Sequence, residues 1–227
     1  MLIDRAFTEV LVKLVVGADD HQTSFYVHPS LLKAKSCYFQ ACLSGNFSEQ
    51  KKGEVKLDDL DPRIFRLFVD WLYAGAAGEQ AAVQGMFNGI TEARDLVLLW
   101  YLGDRLLCEN LQNNSIDALR ILHETQTANL ELLLFIYETS AASQVLLEYY
   151  IRQVVADLYE DVLPGLFSIT QDKNWSNLPG DLMRMLLVDY HTLVTLVDED
   201  DQLPQHLMGC NWHIHSDPPD QACDSQF

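Results

Sequence analysis

The C-terminal end of the chain concentrates the residues that could hold a metal ion. Cys210, His213 and His215 lie close together, and Cys223 follows after a segment that contains Pro218-Pro219 and could fold back. Thiolate and imidazole are preferred zinc ligands, and four protein ligands leave no position open for water. The pattern therefore predicts a structural zinc site. The alternative is that these four residues are incidental, because His213 and His215 could both bind one ion only from an extended backbone.

The rest of the sequence lacks the patterns that catalysis would require. It contains no G-x-S-x-G elbow and no glycine-rich loop leading into a basic residue. The acidic runs at Asp58-Asp59 and 198–201 are typical of solvated surfaces. A metal-dependent enzyme built on the Cys/His cluster would need an open coordination position and a pocket of perturbed carboxylates. We therefore predict no enzyme, no catalytic residues and no cofactor other than the structural zinc.

The charge of the chain excludes several classes of partner. The net charge is −18, and residues 101–227 carry 5 Lys+Arg against 20 Asp+Glu, whereas residues 1–100 carry 10 against 13. Binding to phosphates needs clustered positive charge, so neither nucleic acid nor an anionic membrane is an expected partner. The longest apolar runs are also too short to cross a bilayer. The excess acid predicts a solvated surface or, alternatively, an acidic face for a basic partner.

Cysteine usage bears on the compartment in which the protein works. Five cysteines are an odd number, and Cys37, Cys42 and Cys108 are scattered through apolar stretches. This is not a disulfide framework, so we expect buried free thiols in a reducing compartment. Charges interrupt the first 13 residues and leave no apolar segment of signal-peptide length. The expected location is the cytoplasm or the nucleus.

The first half of the chain alternates between strand and helix patterns. Strands are predicted at Val10 to Val16 and Ser24 to Val27, which would form a hairpin. A single helix is predicted from Pro29 to Gly45, followed by a short helix near Phe47. One face of the longer helix would carry Leu32, Ser36, Phe39 and Leu43.

Further along, Val55 to Leu57 predicts a short strand and Asp61-Pro62 predicts a helix start, with Gly75 as its end. Residues 76–90 are predicted to be mainly loop. Helices follow at Glu92 to Leu107 and Glu109 to Leu122, and the chain then becomes wholly helical. Two later helix faces are predicted, one with Leu147, Ile151, Val154 and Leu158, the other with Leu182, Leu186, Tyr190, Leu193 and Val197.

These elements and their landmark residues resemble a BTB/POZ domain over residues 10–122. The order and spacing of the landmarks carry the resemblance, since no single piece is specific. They are Val15-Val16-Gly17, Phe25-x-x-His28-x-x-Leu31-Leu32-x-x-x-Ser36-x-Tyr38-Phe39, Gly45-x-Phe47-x-Glu49, Glu54-Val55-x-Leu57, and Asp61-Pro62-x-x-Phe65-x-x-Phe68-x-x-Trp71-Leu72-Tyr73-Ala74-Gly75.

The resemblance implies an α+β fold in which a small β-sheet is flanked by a cluster of helices. We assign residues 1–125 to the BTB/POZ domain, 126–200 to an all-helical extension, and 201–227 to an acidic, irregular tail. The extension is similar to the helical tail of a short fungal branch of the family. That similarity rests on Leu133 to Glu138, on Trp175, and on Leu178-Pro179.

Protein–protein association is the function that the resemblance implies. Members of the family form homodimers or heteromers, and many recruit the cullin scaffold of RING-type ubiquitin ligases through an apolar-x-Glu motif. Phe47-Ser48-Glu49 stands in that place here. An exposed Phe47 could anchor in a partner pocket while Glu49 fixes the register. The chain is thus predicted to be an interaction module and substrate adaptor of a cullin-RING ligase. The alternative is an oligomerisation scaffold with no ligase link, in which Phe47 packs beneath its own loop.

Two positions depart from the family's dimeric zinc-finger type. That type usually has an Asp at the start of the first strand and a basic residue after the His, where this chain has Leu11 and Pro29. Contacts that depend on this polar pair are therefore not carried over, and a homodimer remains a hypothesis. His28 is predicted to be a buried, hydrogen-bonded histidine that ties strand to helix, not a catalytic group.

Overall fold

The computed structural model describes residues 9–44, 54–76, 80–139, 144–161, 173–196 and 212–214. The chain divides into two compact units, Met1–Ser115 and Ile116–Gln226. This division falls near the end of the BTB/POZ-like region, residues 10–122. The predicted boundaries at residues 125 and 200 remain predictions.

A three-stranded sheet forms the centre of the first unit. Strands β1 (Val12–Val16) and β2 (Thr23–Val27) pair antiparallel, and β3 (Glu54–Leu57) pairs parallel to β1, which gives the order β2-β1-β3. The predicted hairpin and the predicted short strand are both confirmed. Gly17 ends β1 with a φ of 92°, and a Cβ there would lie 2.9 Å from Pro62 Cγ. Glycine alone meets both demands at that turn.

Six α-helices are described that lie or begin in the first unit, and a 3₁₀ helix (Asp19–His21) joins β1 to β2. The α-helices are α1 (Pro29–Lys35), α2 (Cys37–Ser44), α3 (Pro62–Ala76), α4 (Gln80–Asn88), α5 (Ala93–Arg105) and α6 (Glu109–His123). The predicted N-cap of α3 is confirmed, because Asp61 Oδ1 accepts a hydrogen bond from Arg63 N at 2.7 Å. Helix α6 continues past Ser115, so the division between the units lies inside it.

The prediction of one helix from Pro29 to Gly45 was wrong, because the chain breaks at Ser36. Ser36 has an extended backbone with a φ of −136°. Its buried hydroxyl donates to Leu106 O at 2.6 Å and accepts from Phe39 N at 3.2 Å. Ser36 therefore caps α2 and fixes it to the end of α5, and the partner carbonyl makes the break favourable.

The prediction that residues 76–90 are mainly loop was also wrong. Helix α4 occupies Gln80–Asn88 and packs against α3, with Phe87 buried. Alanine and glutamine favour helix enough for packing to decide the outcome, in spite of Gly85 in the middle of the helix.

Aromatic side chains hold the sheet and the helices of the first unit together. The rings of Phe25 and Phe65 lie 5.1 Å apart, those of Phe65 and Phe68 5.3 Å, and those of Phe39 and Phe68 6.3 Å. One continuous cluster thus joins β2, α2 and α3. All four rings are buried, so they form the core that the sequence predicts for this fold.

The secondary-structure elements described in the second unit are all helices. It contains the end of α6, α7 (Leu130–Thr139), α8 (Gln144–Asp161), a 3₁₀ helix (Lys173–Asn177) and α9 (Gly180–Leu196). Both predicted apolar faces are buried towards the N-terminal ends of their helices. The buried residues are Leu147, Ile151 and Val154 on α8, and Leu182 and Leu186 on α9. The predicted break at Pro164-Gly165 lies outside the described residues. The architecture as a whole confirms the predicted α+β class.

In the described parts of the chain, no helix combines the length and the hydropathy that a bilayer crossing would require.

Candidate functional site

The two residues predicted to bind a partner, Phe47 and Glu49, lie outside the described residues. The helix that leads to them is described, and its N-terminus is held by the turn between α5 and α6. Cys37 N donates to Leu107 O at 3.2 Å, and Tyr38 N donates to Leu106 O at 3.4 Å. Leu107 adopts a φ of 50° to present its carbonyl. Helix α2 is therefore fixed to the scaffold at the end farther from the predicted motif.

His28 lies where the sequence placed it but is not buried. It occupies the N-cap position before α1, is half-buried, and its Nδ1 lies 2.7 Å from the hydroxyl of Tyr73 on α3. The prediction of a buried histidine was wrong, whereas the predicted tie between strand and helix is present. In the first turn of α1, Ser30 N has no acceptor within the helix and donates to Glu9 Oε2 at 3.1 Å.

Exposed apolar side chains gather near the N-terminal end of β1. Leu11 lies on the same face as Lys13, whose partner on β2 is Tyr26. The hydrogen bond of His28 with the Tyr73 hydroxyl brings α3 to the same region. We call Val10, Leu11, Tyr26 and Tyr73 the N-terminal patch; they are 86%, 41%, 59% and 38% exposed. The N-terminal patch is therefore a candidate contact surface.

Charged groups around the first unit pair with one another at its surface. Arg105 Nη2 lies 2.8 Å from Asp59 Oδ2, and its hydrogen bond holds the pKa of that carboxyl below its usual value. Lys13 Nζ lies 2.8 Å from Glu54 Oε2. Exposed pairs of this type contribute little to stability, and their perturbed pKa values have a structural cause.

Polar side chains of α8 organise the start of α7 in the second unit. The buried Asp157 accepts hydrogen bonds from Ala128 N and from Gln153 Nε2. Tyr150 Oη accepts from Asn129 N at 3.0 Å, and Asn129 Oδ1 in turn caps α7 at Leu132 N. The backbone N–H groups of Ala128 and Asn129, which precede α7, thus find acceptors on α8. Asp157 and Tyr150 therefore have a structural role.

A buried histidine packs against two buried tyrosines of α8. His123 Nδ1 lies 2.8 Å from the Tyr149 hydroxyl, and its ring stacks on Tyr149 and meets the edge of Tyr150. Burial lowers the pKa of His123 to about 4. The imidazole is therefore neutral in the folded protein at neutral pH.

This burial makes the stability of the second unit depend on pH. Unfolded His123 takes up a proton near pH 6.5, whereas the folded residue does so near pH 4. Between these pH values the unfolded state binds the proton and the folded state does not. The free energy of unfolding is therefore unaffected by this proton above pH 6.5 and falls by roughly 3 kcal/mol in total as the pH drops towards 4. Urea unfolding between pH 4 and 7 should show this slope in the wild type and a shallower one in His123→Gln. Equal slopes would contradict the assignment.

Of the four predicted zinc ligands, only His213 is among the described residues. Its side chain is 2% exposed, and Nε2 lies 3.0 Å from Asp117 Oδ1. Cys210, His215 and Cys223 lie outside the described residues. Within the part of the chain that is described, no group of three or more ligand-type side chains could hold a metal ion. The zinc site therefore remains a prediction. In such a site, Asp117 would be the second-sphere carboxylate that orients His213.

The cysteines of the first unit differ in their surroundings. Cys108 is buried, Cys42 is half-buried and Cys37 is exposed. The prediction of buried thiols is thus right for Cys108 and wrong for Cys37. Burial raises the pKa of Cys108 to about 12, so this residue stays a thiol at neutral pH.

Comparison with known proteins identifies the family. The BTB/POZ domain model matches residues 7–120, half of the chain, and the chain therefore belongs to the BTB/POZ domain family. This domain is a non-catalytic module for protein–protein interaction.

Two relatives show how this domain occurs in longer proteins. The BTB and MATH domain-containing protein 15 of Caenorhabditis elegans is 29% identical over 131 residues, which is 56% of this chain and 44% of that protein. The Kelch repeat and BTB domain-containing protein 4 of Pongo abelii is 26% identical over 88 residues, 39% of this chain and 17% of that protein. The chain thus matches less than half the length of either relative.

Proposed function

We propose that the chain is a substrate adaptor of a cullin-RING ubiquitin ligase. The observation that carries the proposal is the Phe47-Ser48-Glu49 motif, which begins three residues after the end of α2 in the sequence of a BTB/POZ domain. An aromatic anchor beside a carboxylate can combine apolar burial with a directional hydrogen bond to the cullin. The net charge of −18 agrees with a protein partner rather than with nucleic acid. We place this activity in the cytoplasm or the nucleus.

The helical unit would provide the second function that an adaptor needs. The names of both relatives pair a BTB domain with another module, MATH in one and kelch in the other. In this chain, residues 116–226 form a second unit that accompanies the BTB/POZ domain. We therefore propose that this unit recognises the substrate, and that the first unit engages the cullin.

The variant Glu49→Lys is expected to abolish the capture of a purified cullin. Reversing the charge removes the acceptor and adds repulsion, and a loss of roughly 2 kcal/mol or more corresponds to at least about thirtyfold weaker binding. Calorimetric titration measures this directly. Asp20→Lys is a control with the same change in charge, because Asp20 is exposed in the turn between β1 and β2. Equal affinities for Glu49→Lys and the wild type would contradict the proposal.

The second candidate function is an oligomerisation scaffold without a link to ubiquitin ligases. The N-terminal patch favours it, since four exposed apolar side chains near one strand would gain from burial between two copies. A homodimer formed this way would not use the polar pair that Leu11 and Pro29 replace. This candidate predicts self-association without cullin binding.

We also propose that the tail binds one structural zinc ion through Cys210, His213, His215 and Cys223. If Nε2 of His213 keeps its hydrogen bond to Asp117, Nδ1 would be the ligand atom. Protein purified without added metal should contain about one zinc per chain by elemental analysis, and Cys210→Ser should lose it. Metal-free wild type that folds fully would remove this proposal.

A further inference from the structure

We infer that the helical unit carries a docking site for a Trp–His segment, which the chain's own Trp212 and His213 occupy. Asp117 on α6 together with Tyr149 and Arg152 on α8 forms the site. All these residues belong to the second unit. The inference does not depend on cullin binding or on zinc.

The apolar half of the site receives the indole of Trp212, which is 4% exposed. Its ring meets Tyr149 edge to face at 5.5 Å and 73°, and the guanidinium carbon of Arg152 lies 5.3 Å from its centroid. Tryptophan is the aromatic side chain that attracts a cation most strongly. Tyr149 and Arg152 are three residues apart on one helix and therefore face the indole together.

The polar half of the site recognises the neighbouring imidazole. His213 Nε2 donates to Asp117 Oδ1 at 3.0 Å, and Arg120 Nη1 donates to the same oxygen at 3.0 Å. Arg120 thereby balances a buried carboxylate that would be costly to leave uncompensated. Asp117 Oδ2 is buried and receives no hydrogen bond from the described residues, so the carboxylate can accept a further donor from an incoming segment.

The chemistry of the contact explains why it behaves as a binding site. His213 and Asp117 are 96 residues apart, and the described residues 212–214 contain no α-helix or β-strand. Adjacent Trp and His side chains bring an aromatic face and an N–H donor to two complementary groups. A peptide with the same pair can therefore make the same contacts from a separate chain.

The experiment uses the full-length chain with Trp212→Ala and a labelled peptide that copies residues 209–217. The vacated site should bind this peptide with a Kd of roughly 10–100 µM by fluorescence anisotropy, whereas the wild type, already occupied, should bind at least about tenfold more weakly. A peptide carrying Trp212→Ala or His213→Ala should lose binding to the vacated site. Trp175→Ala, which removes a tryptophan elsewhere in the same unit, should behave like the wild type.

His213→Ala provides a second variant that retains the indole. It should bind the peptide more strongly than the wild type and less strongly than Trp212→Ala. Amide exchange in α8 should rise by about tenfold or more in Trp212→Ala and fall again when the peptide is added. Failure of both variants to bind the peptide, or equal binding by the wild type, would overturn the inference.

Discussion

Phe68→Ala is expected to lower the free energy of unfolding of the first unit by about 3–5 kcal/mol. Phe68 is fully buried, and its ring contacts Phe39, Phe65 and Trp71 at centroid distances between 5.3 and 6.3 Å. These neighbours belong to two helices, so they cannot close over the cavity without moving the elements that carry them. Urea unfolding followed by circular dichroism measures the change.

A second aromatic residue supplies the control for this prediction. Tyr26 is 59% exposed on the outer face of β2, and Tyr26→Ala should change the free energy of unfolding by less than about 1 kcal/mol. The difference between the two variants separates the loss of the shared core from the loss of an aromatic ring as such. Similar values for both would mean that the phenylalanine cluster does not hold this unit together.

Gly103→Ala is the second substitution with a large expected effect. An added Cβ would lie 2.8 Å from Gln112 Cγ, 3.1 Å from Gln112 N and 3.3 Å from Cys108 O. Two of these atoms belong to the backbone of α6 and of the turn before it, so a change of rotamer cannot relieve the contact. We expect a loss of about 1–3 kcal/mol in the free energy of unfolding.

Gly85 provides the matched glycine for comparison. It lies inside α4, and an added Cβ would meet nothing within 4 Å. Gly85→Ala should therefore stabilise the protein by about 0.5–1 kcal/mol, because alanine loses less backbone entropy in a helix. Opposite signs for the two variants in thermal unfolding would confirm that α5 and α6 meet at Gly103. A stabilising Gly103→Ala would contradict it.

Local patterns were sufficient to predict much of the first unit. The alternation of β1 and β2, the cap at Asp61 and the spacing of Phe65 and Phe68 are all short-range features, and each describes its element correctly. The break at Ser36 was not predictable in this way. Its hydroxyl depends on Leu106 O, which is 70 residues away in the sequence, and the spacing of Leu32, Phe39 and Leu43 favours a continuous helix.

The candidate sites differ in the same way, since one is a local motif and the other is a long-range contact. The family motif around Phe47 and Glu49 can be read from consecutive residues, and its role is open to direct measurement. The contact between His213 and Asp117 joins distant parts of the chain, so the sequence indicated only that His213 could bind a metal. The adjacent Trp212 was the available signal, because its large apolar ring gains free energy when it is buried against a partner.

Sedimentation velocity tests most directly whether the BTB/POZ unit associates with other polypeptides. The full-length chain is measured alone and mixed with a purified cullin, at roughly 20–50 µM, a concentration that detects micromolar complexes. We predict a faster boundary with the cullin, or a dimer of the chain alone if the scaffold function applies. A chain that sediments as a folded monomer under both conditions would contradict both functions.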